Sequence, residues 1–394
     1  MANFITRALR SISGVTHPKP WLVNLFGGNE TSAGENVSPT NAPKVSAVYA
    51  CVNLIADTIA SIPFKVIRET DKGVEYTGGL LDSLVSLRPN ENYNSFDFRK
   101  AMITQLLLRG NAYVLPVRTG SNLSALELID TDLVTLDTTS GVLVYQIMLA
   151  NGMQMRVKPS QIIHLKAYTI DGINGVSPIT FARETIGVSM AATKHLGSFY
   201  GRGATPKGIL QIQGTIRDPD RVRQIGNQFD NRYNGDNAGG TAVLTEGAEY
   251  KPVASTMRES QFLETLKFTV EEICRIYKVP PHKVGHMDGA GYSSSIEAQN
   301  AQFTMDCIRP LVEQIEMEFT NKLLTGSRKF NLDMRALTRG DIMTQVQRNV
   351  SYWNIGAMSA NEIRKQDGLP PIEGGDEYSS PAHMSPQNDI NNGK

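Results

Sequence analysis

The sequence predicts an α+β fold in which a sheet-rich region is followed by long helices. Short predicted strands separated by turns occur at intervals along residues 63–176, and the Asn151-Gly152 dipeptide between two of them is a strong hairpin signal. Helical spacing of apolar residues then dominates, with two long patterns at 177–203 and 256–279 on either side of a small α/β insert at 204–255. This order indicates a pair of long helices that presents the insert at one end.

The composition is that of an ordinary globular protein, and it excludes several classes of function. The 394 residues are 40% hydrophobic and 20% charged, which excludes disorder over most of the chain. Lys and Arg number 39 against 39 Asp and Glu, so the chain lacks the overall positive charge of a strongly basic nucleic-acid binder. Cys51, Cys274 and Cys307 are far apart in sequence and provide neither a disulfide framework nor a Cys-x-x-Cys metal motif. No apolar run is long enough to span a bilayer, and we expect a soluble protein made in a reducing compartment.

Both ends of the chain are expected to lie outside the folded body. Residues 1–29 contain no acidic residue and several basic ones, which is typical of a mobile arm that docks on a partner or of an organellar transit peptide, with the arm favoured. Residues 29–40 are rich in Gly, Ser, Thr and Asn and predict a flexible linker, so the flexible arm covers 1–43. The polar tail at 379–394 is expected to be disordered.

Residues 44–176 contain the predicted sheet and two helices. The first helix, at 44–62, ends at Pro63 and is defined by apolar residues at helical spacing. Those residues are Val45, Val48, Val52, Ile55 and Ile59. Asn94 is expected to cap a second helix that runs to Arg109 and closes at Gly110-Asn111. Short runs at 64–68, 112–117, 126–129 and 162–166 are predicted strands.

Two long helices and the insert between them come next. Ser177-Pro178 opens a helix through residue 202, and a Thr256-x-x-Glu259 capping box opens the second, which ends at Pro280-Pro281. The insert is predicted to contain strands at 208–212 and 241–244 and a helix at 219–233.

A Gly-rich loop at 281–293 leads to the last predicted elements. Ser294 and Glu297 form a second capping box, and the helix at 296–324 carries one apolar stripe. The stripe consists of Phe303, Cys307, Leu311, Ile315 and Phe319. Pro310 should kink this helix because it lacks a backbone donor. A strand at 329–334 and a helix at 339–355 complete the body.

The sequence contains no recognisable catalytic, cofactor-binding or metal-binding motif. The chain lacks a GxxxxGK[ST] phosphate loop, and Gly201-Arg202-Gly203 fails the dinucleotide fingerprint. Ser177 lacks the closing glycine of a nucleophile elbow and is better explained as a helix cap. His282 and His286 have the spacing of a zinc helix, but prolines precede them and Lys283 replaces the glutamate, so metal binding is disfavoured. We therefore expect a protein that is not an enzyme.

Several segments, in order along 44–377, resemble the portal protein family of tailed bacteriophages and prophages in its shorter version. The first three are Val48-Tyr49-Ala50-Cys51-Val52-Asn53-Leu54-Ile55-Ala56, Gly110-Asn111-Ala112-Tyr113 and Gly172-Ile173-Asn174-Gly175-Val176-Ser177-Pro178-Ile179. The next are Glu271-Glu272-Ile273-Cys274-Arg275 with Val279-Pro280-Pro281, and Ser294-Ser295-Ile296-Glu297-Ala298-Gln299. The last are Asn361-Glu362-Ile363-Arg364 and Gly368-Leu369-Pro370-Pro371-Ile372 through Gly374-Gly375-Asp376. Each segment alone is weak evidence for the resemblance, but the whole set in this order is specific to the family.

The resemblance implies a portal-type fold with the family's named parts. Residues 44–176 would form the α/β wing, to which 325–338 returns, and the stem helices would be 177–203 and 256–279. The clip would be 204–255, the tunnel loop 280–293 and the kinked tunnel helix 294–324. A short helical crown would occupy 339–378, and its shortness and the unmatched tail depart from the family's pattern.

The resemblance also implies a ring of copies, twelve in the family, at one capsid vertex, with a channel for double-stranded DNA during packaging and ejection. Implied partners are the terminase large subunit, the head–tail connector, and the major capsid and scaffold proteins. The implied location is the virion, with assembly in the host cytoplasm and no membrane. A neutral subunit suits a conduit, since each phosphate that a protein neutralises strengthens its hold on DNA.

Two sets of candidate site residues follow from this assignment. The tunnel loop would face the DNA channel through Lys283, Val284, Gly285, His286, Met287 and Asp288. In the clip, Arg217, Arg221, Arg223 and Arg232 would either dock terminase and connector or form ion pairs between subunits. The alternatives are a packaging-associated enzyme, an ATPase or nuclease, and a phage structural adaptor that forms no ring.

Overall fold

The computed structural model describes most of the body of the chain. The described residues are 30–70, 73–120, 122–138, 142–149, 151–202, 208–211, 218, 220, 224, 249–252, 256–286, 296–334, 337, 342–366 and 368–378. Two compact units divide the chain: one comprises residues up to Ser61 together with Val66–Phe330, and the other comprises Ile62–Lys65 together with Asn331–Lys394.

Helix α1 (Ser46–Ser61) supplies the central apolar face of the first unit, and it confirms the helix predicted at 44–62. Val48, Cys51, Ile55 and Ile59 are each at most 1% exposed. These residues recur every three or four positions, so one side of the helix faces α3 and α5, described below.

Two more helices precede the main sheet, α2 (Leu80–Ser86) and α3 (Ser95–Arg109). The predicted cap of α3 is confirmed, because the Asn94 side chain accepts a hydrogen bond from the Asp97 N–H at 2.8 Å. Gly110 ends the helix in the left-handed conformation, at φ 81°. The chain then passes directly into the sheet.

The middle of the first unit contains two three-stranded antiparallel sheets. Strands β3 (Asn111–Thr119), β4 (Asn122–Ile129) and β8 (Ile163–Lys166) form one, in the order β4-β3-β8. Strands β5 (Val134–Asp137), β6 (Val144–Met148) and β7 (Gln154–Val157) form the other, in the order β5-β6-β7. The hairpin predicted at Asn151-Gly152 joins β6 to β7 and is confirmed. Aromatic and aliphatic side chains of both sheets form one buried cluster, which includes Tyr113, Ile129, Tyr145 and Ile147.

A third sheet uses strands from distant parts of the sequence. Its order is β13-β1-β2, with β1 at Phe64–Thr70, β2 at Gly73–Tyr76 and β13 at Arg328–Leu332. The strands expected at 64–68 and 329–334 are thus present with small shifts of their ends.

Two long helices follow the sheets, as predicted. The short pair β9 (Tyr168–Thr169) and β10 (Gly175–Val176) leads into α4 (Pro178–Arg202), and α4 packs against α5 (Thr256–Tyr277). The Ser177 hydroxyl accepts the Ile179 N–H at 3.1 Å, which confirms Ser177 as a helix cap. Between the helices, β11 (Gly208–Gln211) pairs with β12 (Glu249–Pro252), a strand that the sequence did not predict. Of the helix predicted at 219–233 only residues 220 and 224 are described, and both are helical; the strand predicted at 241–244 lies outside the described residues.

The next long helix changes geometry in the middle. Helix α6 (Ile296–Gln302) continues into a π-helical segment (Phe303–Ile308) and then into α7 (Arg309–Leu323). In the π segment the Arg309 N–H bonds the Thr304 carbonyl, five residues back. Pro310 follows at once and cannot donate, so the irregularity falls where the sequence predicts a disturbed helix.

The apolar stripe of this helix differs from the prediction at one position. Val312 is 2% exposed and takes the place expected of Leu311, which is only half-buried. The π segment adds a residue to its turn, so the buried face advances by one position after Ile308. Ile315 and Phe319 remain buried as predicted.

The described part of the predicted flexible linker is packed, which differs from the expectation for 29–40. Thr31 lies against Gly187 of α4, where a Cβ would meet the threonine Oγ1 at 2.5 Å. Ser32 donates to Glu184 of α4 through its backbone N–H at 3.1 Å and through its hydroxyl at 2.5 Å. Composition alone predicted a mobile linker, because short polar residues favour turns and turns are commonly exposed. In the structure this turn packs on helix α4, which holds it in place.

The second unit contains helices α8 (Ile342–Asn354) and α9 (Ala360–Gln366). Asn361 connects α9 to the following loop: its side chain accepts the Ile372 N–H at 2.8 Å and donates to the Asp376 carboxylate at 3.0 Å. A Cβ on Gly375 would meet Asn361 Oδ1 at 2.5 Å, so this glycine is needed for close packing. The two closing segments of the sequence therefore form one local structure. None of the described helices is long and apolar enough to cross a membrane.

Candidate functional site

The candidate site is the turn that follows α5, and it begins with a strained helix end. Lys278 has φ 56° and is the only non-glycine residue with positive φ in the described part of the chain. The Lys278 N–H bonds the Arg275 carbonyl at 3.2 Å, and the Val279 N–H bonds the Cys274 carbonyl at 2.9 Å. This pattern is a Schellman-type cap with lysine at the position where glycine is usual. The cap turns the chain sharply into Pro280.

The turn itself is short and rests on its own backbone hydrogen bonds. Pro281–Val284 forms one 3-10 turn, and Gly285 closes it with φ 82°. The His286 N–H returns to the Pro281 carbonyl at 3.1 Å. An L-residue at the glycine position would be strained, although no atom lies within 4 Å of an added Cβ there.

Three side chains of the turn contact the neighbouring helices. Lys283 Nζ lies 5.2 Å from the centroid of the Phe303 ring, a cation–π contact, and burial lowers the pKa of Lys283. His282 Nε2 lies 3.4 Å from Asn300 Oδ1 on α6. His286 Nε2 lies 3.4 Å from Glu271 Oε1 on α5. The Lys283 amine is thus held against an aromatic ring.

A groove of about 840 Å³ lies beside the turn, between the end of α5 and the π segment. Its charged lining consists of Glu271, Arg275, Lys278 and Asp306. Two acids and two bases balance, so the groove carries no formal net charge from its lining. Cys274 also lines it.

The structure locates part of the predicted channel set. Lys283, Val284, Gly285 and His286 lie together in the turn, whereas Met287 and Asp288 are outside the described residues. The four arginines of the predicted docking surface, Arg217, Arg221, Arg223 and Arg232, are also outside the described residues. Within the described part of the chain no group of three or more His, Cys, Asp or Glu side chains could hold a metal ion.

Two glycines that are distant in sequence meet at the junction that carries α4. A Cβ on Gly175 would lie 2.0 Å from the Gly110 carbonyl oxygen, and a Cβ on Gly110 would lie 2.5 Å from the Ser177 nitrogen. Asn111 bonds both polar groups of Gly175: its Nδ2 donates to the carbonyl and its Oδ1 accepts the N–H, each at 2.8 Å. The Gly110 and Gly175 segments that carry the family resemblance are therefore two halves of one contact.

A buried polar network extends from this contact into the sheets. Asn111 Oδ1 lies 2.9 Å from His164 Nε2, and His164 Nδ1 lies 3.0 Å from the Tyr145 hydroxyl. Asn111 Oδ1 already accepts the Gly175 N–H, so this oxygen is also an acceptor towards the imidazole. The His164 proton is therefore on Nε2, and Nδ1 accepts a hydrogen bond from the Tyr145 hydroxyl. Burial lowers the pKa of His164 to about 3, with further lowering by Lys166 and Lys322. His164 is therefore neutral and structural.

Sequence reasoning missed one contact in this region. Cys51 of α1 and Cys274 of α5 lie with their sulfur atoms 3.9 Å apart, and both are buried. The two positions are 223 residues apart in sequence, and no local pattern reports such a pairing. The only available signal was that each cysteine falls on the apolar face of its predicted helix.

The comparison with protein families decides the identity of the chain. Residues 46–368 match the model of the phage portal protein family, which covers more than half of the chain. The chain belongs to the phage portal protein family. It thus has the function of a portal protein, a structural component of the phage virion.

Two relatives and one solved structure illustrate the likeness. The probable portal protein of Streptomyces phage phiC31 is 31% identical over 93% of this chain and 83% of its own length. The portal protein of Enterobacteria phage HK97 is 29% identical over 89% of this chain and 85% of its own length. A chain of the neck of a native GTA particle, computed with C12 symmetry, aligns with a TM-score of 0.57 at 22% identity, over 89% of this chain and 99% of that chain. The portal-like mixed helix and sheet fold agrees with the α+β class expected from sequence.

Proposed function

We propose that this portal protein assembles with copies of itself into a closed ring at one capsid vertex, and that the ring's axial channel passes double-stranded DNA during packaging and ejection. The observation that carries the proposal is the family match over residues 46–368. The C12 symmetry used for the neck of the GTA particle supports twelve copies. The protein would be assembled in the host cytoplasm and would contact the major capsid and scaffold proteins.

The described helices fit the parts that such a ring needs. Helices α4 and α5 pack along each other and would form the stem. The sheets at 111–166 and the strand pair β13 and β1 would form the wing, and the helices of the second unit would form a short crown. The helix from α6 to α7 would be the tunnel helix, with its π segment in place of a simple proline kink.

The turn at 281–286, which belongs to the tunnel loop at 280–293, would face the DNA. A channel must contact a polyanion without holding it, because each neutralised phosphate strengthens binding. Lys283 meets this requirement, since its amine is held 5.2 Å from the centre of the Phe303 ring and burial lowers its pKa. The left-handed Gly285 would provide the hinge that lets the loop move as DNA passes.

The insert between α4 and α5 would be the clip, which docks the terminase large subunit and later the head–tail connector. Arg217, Arg221, Arg223 and Arg232 would provide salt-sensitive contacts there, either to these partners or between neighbouring subunits. No catalytic role is proposed, in keeping with the structural nature of the family.

The mass of the purified assembly tests the ring. Twelve copies of 43.2 kDa would weigh about 518 kDa by native mass spectrometry, and negative-stain images should show a central hole. A ring of a neighbouring size would also support the proposal, since free subunits need not close as they do in a capsid. A stable monomer at every salt concentration would contradict the ring and would favour a phage adaptor that forms no ring.

A matched pair of glycine substitutions tests the channel turn. Gly285→Ala and Gly152→Ala both place a side chain at positive φ with no atom within 4 Å, and Gly152 lies in the distant β6–β7 hairpin. In particles made with each variant, the DNA packaged per particle should fall for Gly285→Ala and stay near wild type for Gly152→Ala. Equal amounts of packaged DNA per particle for the two variants would show that Gly285 does not act as a hinge.

A further inference from the structure

The contact between α1 and α5 contains a pair of thiols that the portal function does not use. Cys51 Sγ and Cys274 Sγ are 3.9 Å apart, so a small side-chain movement brings them to the distance of about 2 Å at which a disulfide forms. Cys51 is 0% and Cys274 is 1% exposed, so both side chains are buried. The two helices also pack against each other, so both cysteine backbones are held in place.

The two thiols are not equivalent. Cys274 lines the groove of about 840 Å³ beside the turn, and Cys51 lies behind it on α1. The hydrogen bond from the Cys51 thiol lowers the pKa of Cys274, and the same hydrogen bond together with burial raises the pKa of Cys51. Of the two sulfurs, the one that lines the groove is therefore the one that ionises more readily.

The third cysteine lies nearby but in a different environment. The Cys307 thiol donates to the Tyr277 carbonyl at 3.4 Å, and burial raises the pKa of Cys307 to about 12. It is therefore a poor nucleophile and serves as an internal reference for the other two.

We propose that Cys274 and Cys51 form a peroxide-oxidisable dithiol that closes a disulfide between α5 and α1. In the first step the Cys274 thiolate attacks hydrogen peroxide: an S–O bond forms, the O–O bond breaks, hydroxide leaves, and the sulfur is oxidised to a sulfenic acid. In the second step the Cys51 sulfur attacks the Cys274 sulfur: the S–S bond forms, the S–O bond breaks, and the leaving hydroxide takes the Cys51 proton to give water. Two thiols and one peroxide thus yield one disulfide and two waters.

The cross-link has a definite structural consequence. It joins residues 223 positions apart and ties the last turn of α5 to the central apolar helix. The strained cap at Lys278 and the turn at 281–286 follow directly, so oxidation would restrain the base of that turn. This inference does not depend on ring formation, because both cysteines belong to one chain.

Counting thiols by mass spectrometry tests the proposal on the full-length protein. The protein is treated with hydrogen peroxide, quenched with catalase, unfolded and alkylated with iodoacetamide. The reduced protein should take up three alkyl groups, and the oxidised protein one, on Cys307. Trypsin should then release residues 45–65 and 268–275 as one cross-linked species that dithiothreitol separates. Three alkylated cysteines after treatment, or sulfinic acid on Cys274 without the cross-link, would overturn the proposal.

Two variants separate the roles of the sulfurs. Cys51→Ala removes the resolving thiol, so dimedone should trap a sulfenic acid on Cys274 in this variant and far less in the wild type. Cys307→Ala should keep the cross-link and lose the remaining alkylation site. Loss of the cross-link in Cys307→Ala, or a dimedone adduct on Cys307 in place of Cys274, would show that Cys307 takes part in the oxidation. Either result would refute the mechanism.

Discussion

His164 should make the protein lose stability in mild acid. Its pKa is about 3 in the folded protein, because the imidazole is buried and the charges of Lys166 and Lys322 lower the pKa further, and 6.5 is the ordinary value expected after unfolding. A group whose folded pKa is depressed binds more protons in the unfolded state at intermediate pH. The stability that depends on neutral His164 is therefore complete above pH 6.5 and falls as the pH drops toward about 3.

The size of this effect follows from the two pKa values. Each pH unit between them costs about 1.4 kcal/mol, so lowering the pH from 8 to 5 removes about 2 kcal/mol of the free energy of unfolding. The assay is urea unfolding followed by circular dichroism at both pH values, for the wild type and for His164→Gln. Glutamine does not titrate, although it can still donate a hydrogen bond to Asn111. We expect the variant to be less stable than the wild type at pH 8. The difference between their free energies of unfolding should shrink by about 2 kcal/mol at pH 5, because only the wild type loses the contribution of His164.

A second histidine substitution provides the control. His195 is exposed on α4, and His195→Gln should keep the pH dependence of the wild type within a few tenths of a kcal/mol. A His164→Gln deficit that is the same at pH 8 and pH 5 would refute the reasoning, because it would show that His164 binds no more protons after unfolding than before.

Two further predictions concern backbone conformation, and urea unfolding also measures them. Gly175→Ala should lower the free energy of unfolding by about 3 kcal/mol or more, since its Cβ would overlap the Gly110 carbonyl at 2.0 Å and break two buried hydrogen bonds. Gly197→Ala, whose Cβ meets no atom within 4 Å, should instead raise the free energy of unfolding slightly. Equal losses of stability in Gly175→Ala and Gly197→Ala would show that the overlap with the Gly110 carbonyl is not the cause. Lys278→Gly should raise the free energy of unfolding by about 0.5 kcal/mol, because relief of positive φ exceeds the entropy that glycine adds to the unfolded chain. Lys278→Ala should show no such gain, and a gain from alanine would mean that the side chain, and not the backbone, is responsible.

Local signals in the sequence were sufficient for elements that local forces determine. The helix at Ser46–Ser61, the Asn94 cap and the hairpin after β6 were predicted within a few residues, because apolar spacing, capping and turn chemistry act over short distances. The side chains of the site were harder to place. Sequence assigned Lys283 to a loop, and only the structure shows that its amine lies against Phe303.

Features that depend on distant contacts could not be predicted from one sequence. The Cys51–Cys274 contact and the Gly110–Gly175 approach each join segments that are far apart, and no periodicity reports them. The packing of Thr31 on Gly187 likewise requires knowing which helix lies beside the turn. Composition predicted a flexible linker for this segment, because composition does not determine whether a surface is available to hold a turn.

The π segment at Phe303–Ile308 has a consequence for how this helix tolerates changes in length. An α-helix that loses one residue turns everything beyond the deletion by about 100°, which would move Val312, Ile315 and Phe319 off the core. The π segment holds one residue more than α geometry requires, so a deletion inside it would restore a continuous α-helix and leave those three side chains facing inward. Natural variation in the length of this helix should therefore be concentrated in these six positions, and α7 should keep its length.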